Sequence, residues 1–207
     1  MIDVCMPWRA QPARLPAFEH VTAWWREHGY RVVLGDSHHQ PFNRAAARNA
    51  AARKATGDVL VFSDADTIPD LLAVDTAITA ARRHGGVWWP FTEYRYLAAT
   101  VQPGDNLASA AAEEIYPASV GGTLVVRRDV FAELGGFDER FREWGGEDRA
   151  FELAAAALAT VNRIPAVAYA FNHPADRNMR GPWRTLLQEY RIAYRRQRMR
   201  EYLDSRA

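Results

Sequence analysis

The first half of the chain alternates strand-like and helix-like segments, and this alternation constrains the fold more than any other feature of the sequence. Short apolar runs at residues 2–6, 30–36 and 59–66 are separated by helix-like segments at 15–28 and 43–55. Strands that alternate with helices of about a dozen residues are typical of right-handed βαβ units and a parallel sheet. We therefore predict an α/β fold with a Rossmann-like, mostly parallel sheet flanked by helices.

The second half has more irregular segments and several glycine pairs. Residues 103–120 predict a helix followed by a loop, and GGTLVVRRDVF predicts a strand that leads into a helix. Further helices are predicted at about 147–159 and from about 182 to 204, the second of them rich in arginine. No linker or internal repeat interrupts the chain, so we predict a single domain over residues 1–207.

The composition is that of an ordinary globular protein. Apolar residues make up 48% of the chain and the formal net charge is +1, which argues neither for nor against a nucleic-acid partner. No apolar run is long enough for a transmembrane helix, and the N-terminus does not resemble a signal peptide. The single cysteine, Cys5, cannot form an internal disulfide. These features together predict a cytoplasmic protein.

Two carboxylates, Asp64 and Asp66, end the apolar run VLVFSDAD. On an extended backbone, residues i and i+2 point to the same side, so both carboxylates would face one cation. Mn²⁺ or Mg²⁺ prefers such oxygen ligands and would bridge a diphosphate. An isolated Asp-x-Asp is more often a solvated turn or a helix cap, but ligands bind beyond the carboxyl ends of parallel strands. That position favours a metal site.

A second acidic pair, Glu147 and Asp148, follows Trp144, Gly145 and Gly146 in FREWGGEDRAF. Acidic residues in the first turn of a helix interact favourably with its dipole, which would explain the pair alone. It would not explain the tryptophan or the glycines, which let the backbone turn tightly beside a ligand. An ionised carboxylate here could accept the proton of a hydroxyl while a sugar ring lies against Trp144. We favour this catalytic interpretation.

The order of these segments resembles that of glycosyltransferases of the A-type fold. The β-1,4-galactosyltransferase group, with its C-terminal galactosyltransferase-type module, is most similar; family 2 and the polypeptide N-acetylgalactosaminyltransferases are more distant. The segments that carry the resemblance are MPWRAQPAR, FNRAAARNAA, FSDADTIP, SVGGTLVV, WGGED and HPADRN, from residue 6 to about 178. It implies a metal-dependent enzyme that transfers a hexose or N-acetylhexosamine from a UDP-sugar to a hydroxyl of a saccharide, a protein or a modified nucleobase.

The resemblance also implies an organisation of the chain and roles for its residues. A half that binds the nucleotide sugar would span about 1–100, a catalytic half about 101–180 and a basic helix about 182–204. Asp148 would be the base with Glu147 beside it. Mn²⁺ or Mg²⁺ would be held by Asp64, Asp66 and His173, and Asp64 would also lie near the ribose. The nucleotide sugar would contact Pro7, Trp8, Arg9, Arg14, Asp36, Phe42, Arg44, Arg48, Asp64, Gly121, Gly122, Trp144, Gly145 and Gly146.

Several alternatives stay open at the level of the sequence. His173 could be a core histidine, and Asp36 could belong to an ordinary turn. Ala170 stands where a family member has a sulfur ligand, and Ser119 replaces a bulky aromatic residue, which leaves the donor sugar open. Asp148 favours inversion, because the retaining polypeptide transferases typically have asparagine there, which cannot deprotonate a hydroxyl. A retaining transferase acting on protein Ser/Thr and a nucleotidyltransferase are the rival functions.

Overall fold

The computed structural model describes residues 2–142, 145–173 and 182–206. In these ranges the strands are β1 (Ile2–Pro7), β2 (Arg31–Gly35), β3 (Val59–Ser63), β4 (Thr67–Ile68), β5 (Val87–Trp89), β6 (Glu93–Leu97), β7 (Ala112–Pro117), β8 (Thr123–Arg127), β9 (Val161–Arg163) and β10 (Val167–Ala170). The α-helices are α1 (Leu15–Glu27), α2 (Arg44–Lys54), α3 (Leu71–His84), α4 (Arg128–Glu133), α5 (Glu147–Leu158), α6 (Trp183–Arg195) and α7 (Met199–Asp204).

The larger sheet has six strands in the order β2-β1-β3-β8-β5-β9. Strand β1 pairs in parallel with β2 and β3, as the βαβ pattern predicts, whereas β8 runs antiparallel to both β3 and β5. The reversed β8 makes the sheet mixed. Because β1, β2 and β3 are parallel, their last residues Pro7, Gly35 and Ser63 lie at the same edge, and the segments that follow them meet there.

The core lies on both faces of this sheet. From β3, Leu60 and Phe62 pack with α2 and α5 on one face, while Val59 and Val61 pack with α1 and α3 on the other. Helices on both faces explain why β3 is a continuous apolar run and not an alternating one. The strand is thereby fixed in position up to Ser63, where the acidic segment begins.

A smaller sheet has the order β4-β10-β6-β7. The predicted helix within residues 103–120 is wrong: this region contains one 3₁₀ turn at Leu107–Ser109 and then β7, which pairs antiparallel with β6. The many alanines favour a helix locally, but pairing with a neighbouring strand overrides this weak preference. Strand β6, which the sequence did not indicate, carries two tyrosines towards the site.

The predicted C-terminal helix is two helices. Gln197 has a φ of 55°, a left-handed conformation that ends α6 and turns the chain into α7. Leu187 and Tyr190 of α6 and Leu203 of α7 are buried with Ala150 and Ala154 of α5, so the apolar stripe belongs to the core. None of the helices in the part of the chain described here combines the length and the hydrophobicity that crossing a bilayer requires.

Candidate active site

The ends of β1 and β2 bring together four of the residues predicted to bind the nucleotide. Arg9 donates to Asp36 from Nη2 at 2.5 Å and from Nε at 3.1 Å, and its guanidinium lies 5.2 Å from the centre of the Phe42 ring. The hydrogen bonds from Arg9 lower the pKa of Asp36 to about 2, so this carboxylate is ionised. Trp8 next to Arg9 stacks on Phe18, with ring centres 3.8 Å apart.

Asp64 and Asp66 do not lie on one extended strand. Strand β3 ends at Ser63 and the chain turns at once, with the backbone N–H of Thr67 donating to the carbonyl of Asp64. The two carboxylates therefore meet different partners. Asp64 pairs with Arg48, and Asp66 pairs with Arg14 and His173. The predicted alignment at i, i+2 is wrong because the turn replaces the extended backbone on which it rested.

Asp66 and His173 lie in direct contact, although more than a hundred residues separate them in sequence. His173 Nε2 is 2.9 Å from Asp66 Oδ2, and Arg14 Nη2 donates to the same oxygen at 2.8 Å. Burial would raise the pKa of Asp66, but the hydrogen bond with His173 and the charge of Arg14 lower it to about 2. Asp66 is thus an ionised, buried carboxylate beside an imidazole.

Tyr94 on β6 is a site residue that sequence reasoning missed. Its hydroxyl lies 3.0 Å from Oγ1 of Thr67, which in turn donates to Asp66 Oδ1 at 3.2 Å. The signal was present in EYRYL, because Tyr94 and Tyr96 are two apart on a strand and share a face. Tyr96 lies with its ring centre 6.5 Å from that of His173. The two tyrosines line the site from the smaller sheet.

Arg48 on α2 contacts both Asp64 and the second acidic pair, and these residues form one cluster. Its Nη2 donates to Asp64 Oδ1 at 2.7 Å, and its Nη1 donates to Asp148 Oδ1 at 2.7 Å and to Glu147 Oε1 at 3.3 Å. The side chain of Arg48 is 2% exposed. Arg44, one helical turn earlier, also donates to Glu147 Oε1 at 3.3 Å. Two guanidinium groups thus face three carboxylates.

Asp148 has the electrostatics of a group that can exchange a proton near neutral pH. Burial raises its pKa to about 7; the charges of Glu147 and Asp64 act in the same direction and that of Arg48 opposes them. A Cβ atom on Gly121 would lie 3.3 Å from Asp148 Oδ2, so the glycine leaves this oxygen open on one side. Glu147 Oε2 is buried and has no hydrogen-bond partner among the described residues.

Gly145 and Gly146 lead into α5 with φ values of 102° and 91°. A Cβ atom on Gly146 would lie 2.8 Å from Phe141 and 3.0 Å from Trp183, so only glycine fits between these rings. Trp183, at the start of α6, packs beside both glycines, and the sequence analysis did not single it out. The predicted sugar platform, Trp144, lies outside the described residues, as does the HPADRN segment beyond His173.

The structure brings together two of the three predicted metal ligands, Asp66 and His173. Within the described ranges no three His, Cys, Asp or Glu side chains surround a common point in the way a complete protein metal site requires. Asp66 and His173 do meet and offer a carboxylate oxygen and an imidazole nitrogen, which suit Mn²⁺. The pair would supply two ligands to such a cation, whereas Asp64 pairs with Arg48 instead.

Models of two known protein families match separate parts of the chain. A family model described as the N-terminal domain of galactosyltransferase matches residues 106–173, and the model of glycosyltransferase family 2 matches residues 19–98. No curated protein matches the chain in sequence. The two matches are consecutive, and they divide the chain near the boundary between the predicted donor-binding and catalytic halves.

Solved structures share the fold of this chain, and two of them were determined in complex with a UDP-sugar. Drosophila β-1,4-galactosyltransferase 7, as a mutant in complex with manganese, UDP-Gal and xylobiose, is 22% identical, with a TM-score of 0.51; the match covers 78% of this chain and 63% of that one. TarS 1–349 of S. aureus in complex with UDP-GlcNAc is 13% identical, with a TM-score of 0.55, covering 95% and 66%.

The chain has the A-type glycosyltransferase fold. The predicted fold class is therefore confirmed, and both matching family models describe glycosyltransferases, in agreement with the predicted enzyme class. At these identities the solved structures establish the fold alone, and the chain spans about two thirds of the length of the two just described.

Proposed function

We propose that this protein is a glycosyltransferase that transfers a hexose or N-acetylhexosamine from a UDP-sugar to an acceptor hydroxyl, with Mn²⁺ or Mg²⁺ and with inversion. The observation that carries the proposal is the meeting of Asp64, Glu147 and Asp148 around Arg48, because it joins the donor side and the acceptor side in one site. Structures of the same fold bind UDP-Gal or UDP-GlcNAc, which supports the donor class.

The donor's nucleotide is assigned to the edge formed by β1, β2 and β3. Asp36 is an ionised acceptor for hydrogen bonds from uracil or ribose, and Phe42 offers a flat apolar surface beside it. Arg9 and Arg44 are 23% and 27% exposed, so each can reach the diphosphate. Their carboxylate partners keep both guanidinium groups oriented before the donor arrives.

Asp66 and His173 would hold the divalent cation. The cation supplies positive charge that stabilises the diphosphate as it leaves. Thr67 and Tyr94 hold Asp66 from the other side, through the hydrogen bonds to its second carboxylate oxygen and to the threonine hydroxyl. These hydrogen bonds fix the orientation of the Asp66 carboxylate, whose Oδ2 faces His173.

Asp148 accepts the proton of the acceptor hydroxyl. As the O–H bond breaks, the acceptor oxygen bonds to the anomeric carbon, and the bond from that carbon to the diphosphate breaks with its electron pair leaving on UDP. The carboxylate must then face the sugar opposite the diphosphate, which gives inversion. Its pKa of about 7 suits a general base at neutral pH. Gly121 places no side chain against Oδ2.

Glu147 lies beside Asp148, and its Oε1 accepts hydrogen bonds from both Arg44 and Arg48. Its side chain is 2% exposed, so Glu147 would act by holding these two guanidinium groups and not by contact with the acceptor. Drosophila β-1,4-galactosyltransferase 7 has been solved with xylobiose, which supports a saccharide acceptor. Assays with a protein or a modified nucleobase as the acceptor would test these two alternatives.

The test is UDP release from a panel of UDP-sugars with Mn²⁺, with and without EDTA. Metal-dependent release from one donor supports the proposal and identifies the sugar. Asp148→Asn should lose turnover while keeping UDP binding. Asp129→Asn is a matched control, because Asp129 also lies in the first turn of a helix but is exposed.

Three other results would contradict the proposal in separate ways. Release of pyrophosphate instead of UDP would identify a nucleotidyltransferase. An α-linked first product from an α-linked donor, seen by proton NMR, would identify a retaining enzyme. An Asp148→Asn variant with normal turnover would remove Asp148 from its role as base.

A further inference from the structure

The surroundings of Arg48 differ from those of the other arginines in the site. Its side chain is 2% exposed, whereas Arg9, Arg14 and Arg44 are 22–27% exposed. Its guanidinium lies 5.0 Å from the centre of the Phe137 ring, and three carboxylates surround its N–H groups. A diphosphate has little access to a group enclosed in this way.

The contacts of Arg48 select one oxygen of each carboxylate. It donates to Oδ1 of Asp148 and to Oδ1 of Asp64, both at 2.7 Å, from two different nitrogens. The planar guanidinium fixes the angle between these bonds, so the two carboxylates are held at a set separation. Asp148 Oδ2 stays on the side of Gly121, where no side chain fills the space.

We propose that Arg48 is a positioning residue: it holds Asp148 so that Oδ2 faces the acceptor, and it ties this base to Asp64 at the end of β3. The inference rests on the proposed function of Asp148. It assigns Arg48 to the acceptor chemistry and not to the diphosphate. The donor-side turn and the base then have a fixed relative position even before substrates bind.

The experiment separates turnover from donor binding in Arg48→Gln. We expect kcat to fall about 100-fold, because a displaced base loses its alignment with the acceptor hydroxyl. The donor KM and the Kd for UDP with Mn²⁺, measured by calorimetry, should stay within about threefold of the wild-type values. Arg53→Gln is the matched control on the same helix, since Arg53 is 67% exposed and lies 3.6 Å from Glu139.

Arg48→Lys keeps the charge and provides a variant in case the glutamine variant does not fold. A single ammonium group cannot hold both carboxylates in the planar fork, so kcat should still fall about tenfold with unchanged UDP binding. UDP binding weakened about tenfold or more in either folded variant would place Arg48 on the diphosphate and overturn the inference. Full activity of Arg48→Lys would overturn it as well.

The two proposals fail in different ways. A wild-type protein that releases no UDP from any donor contradicts the proposed function. A wild-type protein that transfers sugar, together with an Arg48→Gln variant of normal kcat, contradicts only the role of Arg48.

Discussion

The ring of Tyr94 lies directly on Gly122: a Cβ atom on the glycine would be 2.4 Å from Cε2 of the ring. The carbonyl of Gly122 accepts a hydrogen bond from the backbone N–H of Asp64 at 2.8 Å, and the Tyr94 hydroxyl bonds to Thr67. One close contact between the two sheets thus supports both ends of the turn that carries Asp64 and Asp66.

Gly122→Ala should destabilise the protein and displace Tyr94. Gly122 has a φ of 92°, and the added methyl group would also collide with a buried ring. The two effects should lower the free energy of unfolding by about 2–4 kcal/mol, measured by urea titration. Because Tyr94 moves away from Thr67, Mn²⁺-dependent UDP binding should weaken too.

Gly29→Ala separates backbone strain from the collision. Gly29 has a φ of 81° but nothing lies within 4 Å of its Cβ position, so its substitution should cost only about 1 kcal/mol. Equal losses in the two variants would show that the contact between Tyr94 and Gly122 contributes nothing.

Activity should depend on pH through Asp148. The base must be ionised, and its pKa is raised to about 7, so the protonated and inactive form accumulates as the pH falls below 7. We expect kcat/KM to drop about tenfold per pH unit there and to level off above pH 7. The measurement is initial-rate kinetics from pH 5.5 to 8.5 with saturating Mn²⁺; a flat profile would contradict the assignment.

His173→Ala should weaken UDP binding only when metal is present. With Mn²⁺ the Kd for UDP should rise about tenfold or more, because the proposed cation site would lose one of its two protein ligands; without Mn²⁺ the Kd should not change. His84→Ala, at an exposed position at the end of α3, is the control. A metal-independent loss of binding in His173→Ala would mean that the histidine contacts the nucleotide or supports the fold.

Asp3 should make stability dependent on acid pH. It is fully buried and accepts hydrogen bonds from Arg31 and from the backbone N–H groups of Thr56 and Gly57. Burial alone would raise the pKa of Asp3, but these bonds lower it from 3.8 to about 2. Since the pKa is depressed in the folded state, the stabilisation is full above pH 4 and is lost as the pH falls from 4 to 2.

The expected loss over that interval is about 2 kcal/mol, measured as the free energy of unfolding in urea. Asp3→Asn should lose at least this amount at pH 7 and show a smaller change between pH 5 and pH 2. Glu201→Gln, which breaks an exposed pair with Arg198, should cost less than about 1 kcal/mol. An Asp3→Asn variant as stable as the wild type would contradict the account.

The local sequence pattern predicted an element correctly where the element's own preference matches its tertiary environment. The apolar run before Asp64 predicted β3 because both faces of that strand are covered by helices. Residues 103–120 were predicted as helix because their alanines favour it, whereas the pairing of β7 with β6 is a contact between distant segments. The left-handed Gln197 likewise left no signal in the apolar periodicity of α6 and α7.

The sequence by itself determined the fold class and singled out the acids of the proposed site, since βαβ periodicity and the residues beside a strand end or a helix start are local properties. Only the tertiary structure decided their partners. Because the chain turns after Ser63, Asp64 contacts Arg48 and Asp66 contacts His173. Helix α2 places Arg48 2.7 Å from Asp148. Two of these contacts join residues a hundred or more positions apart, and their geometry is set by how helices and sheets pack.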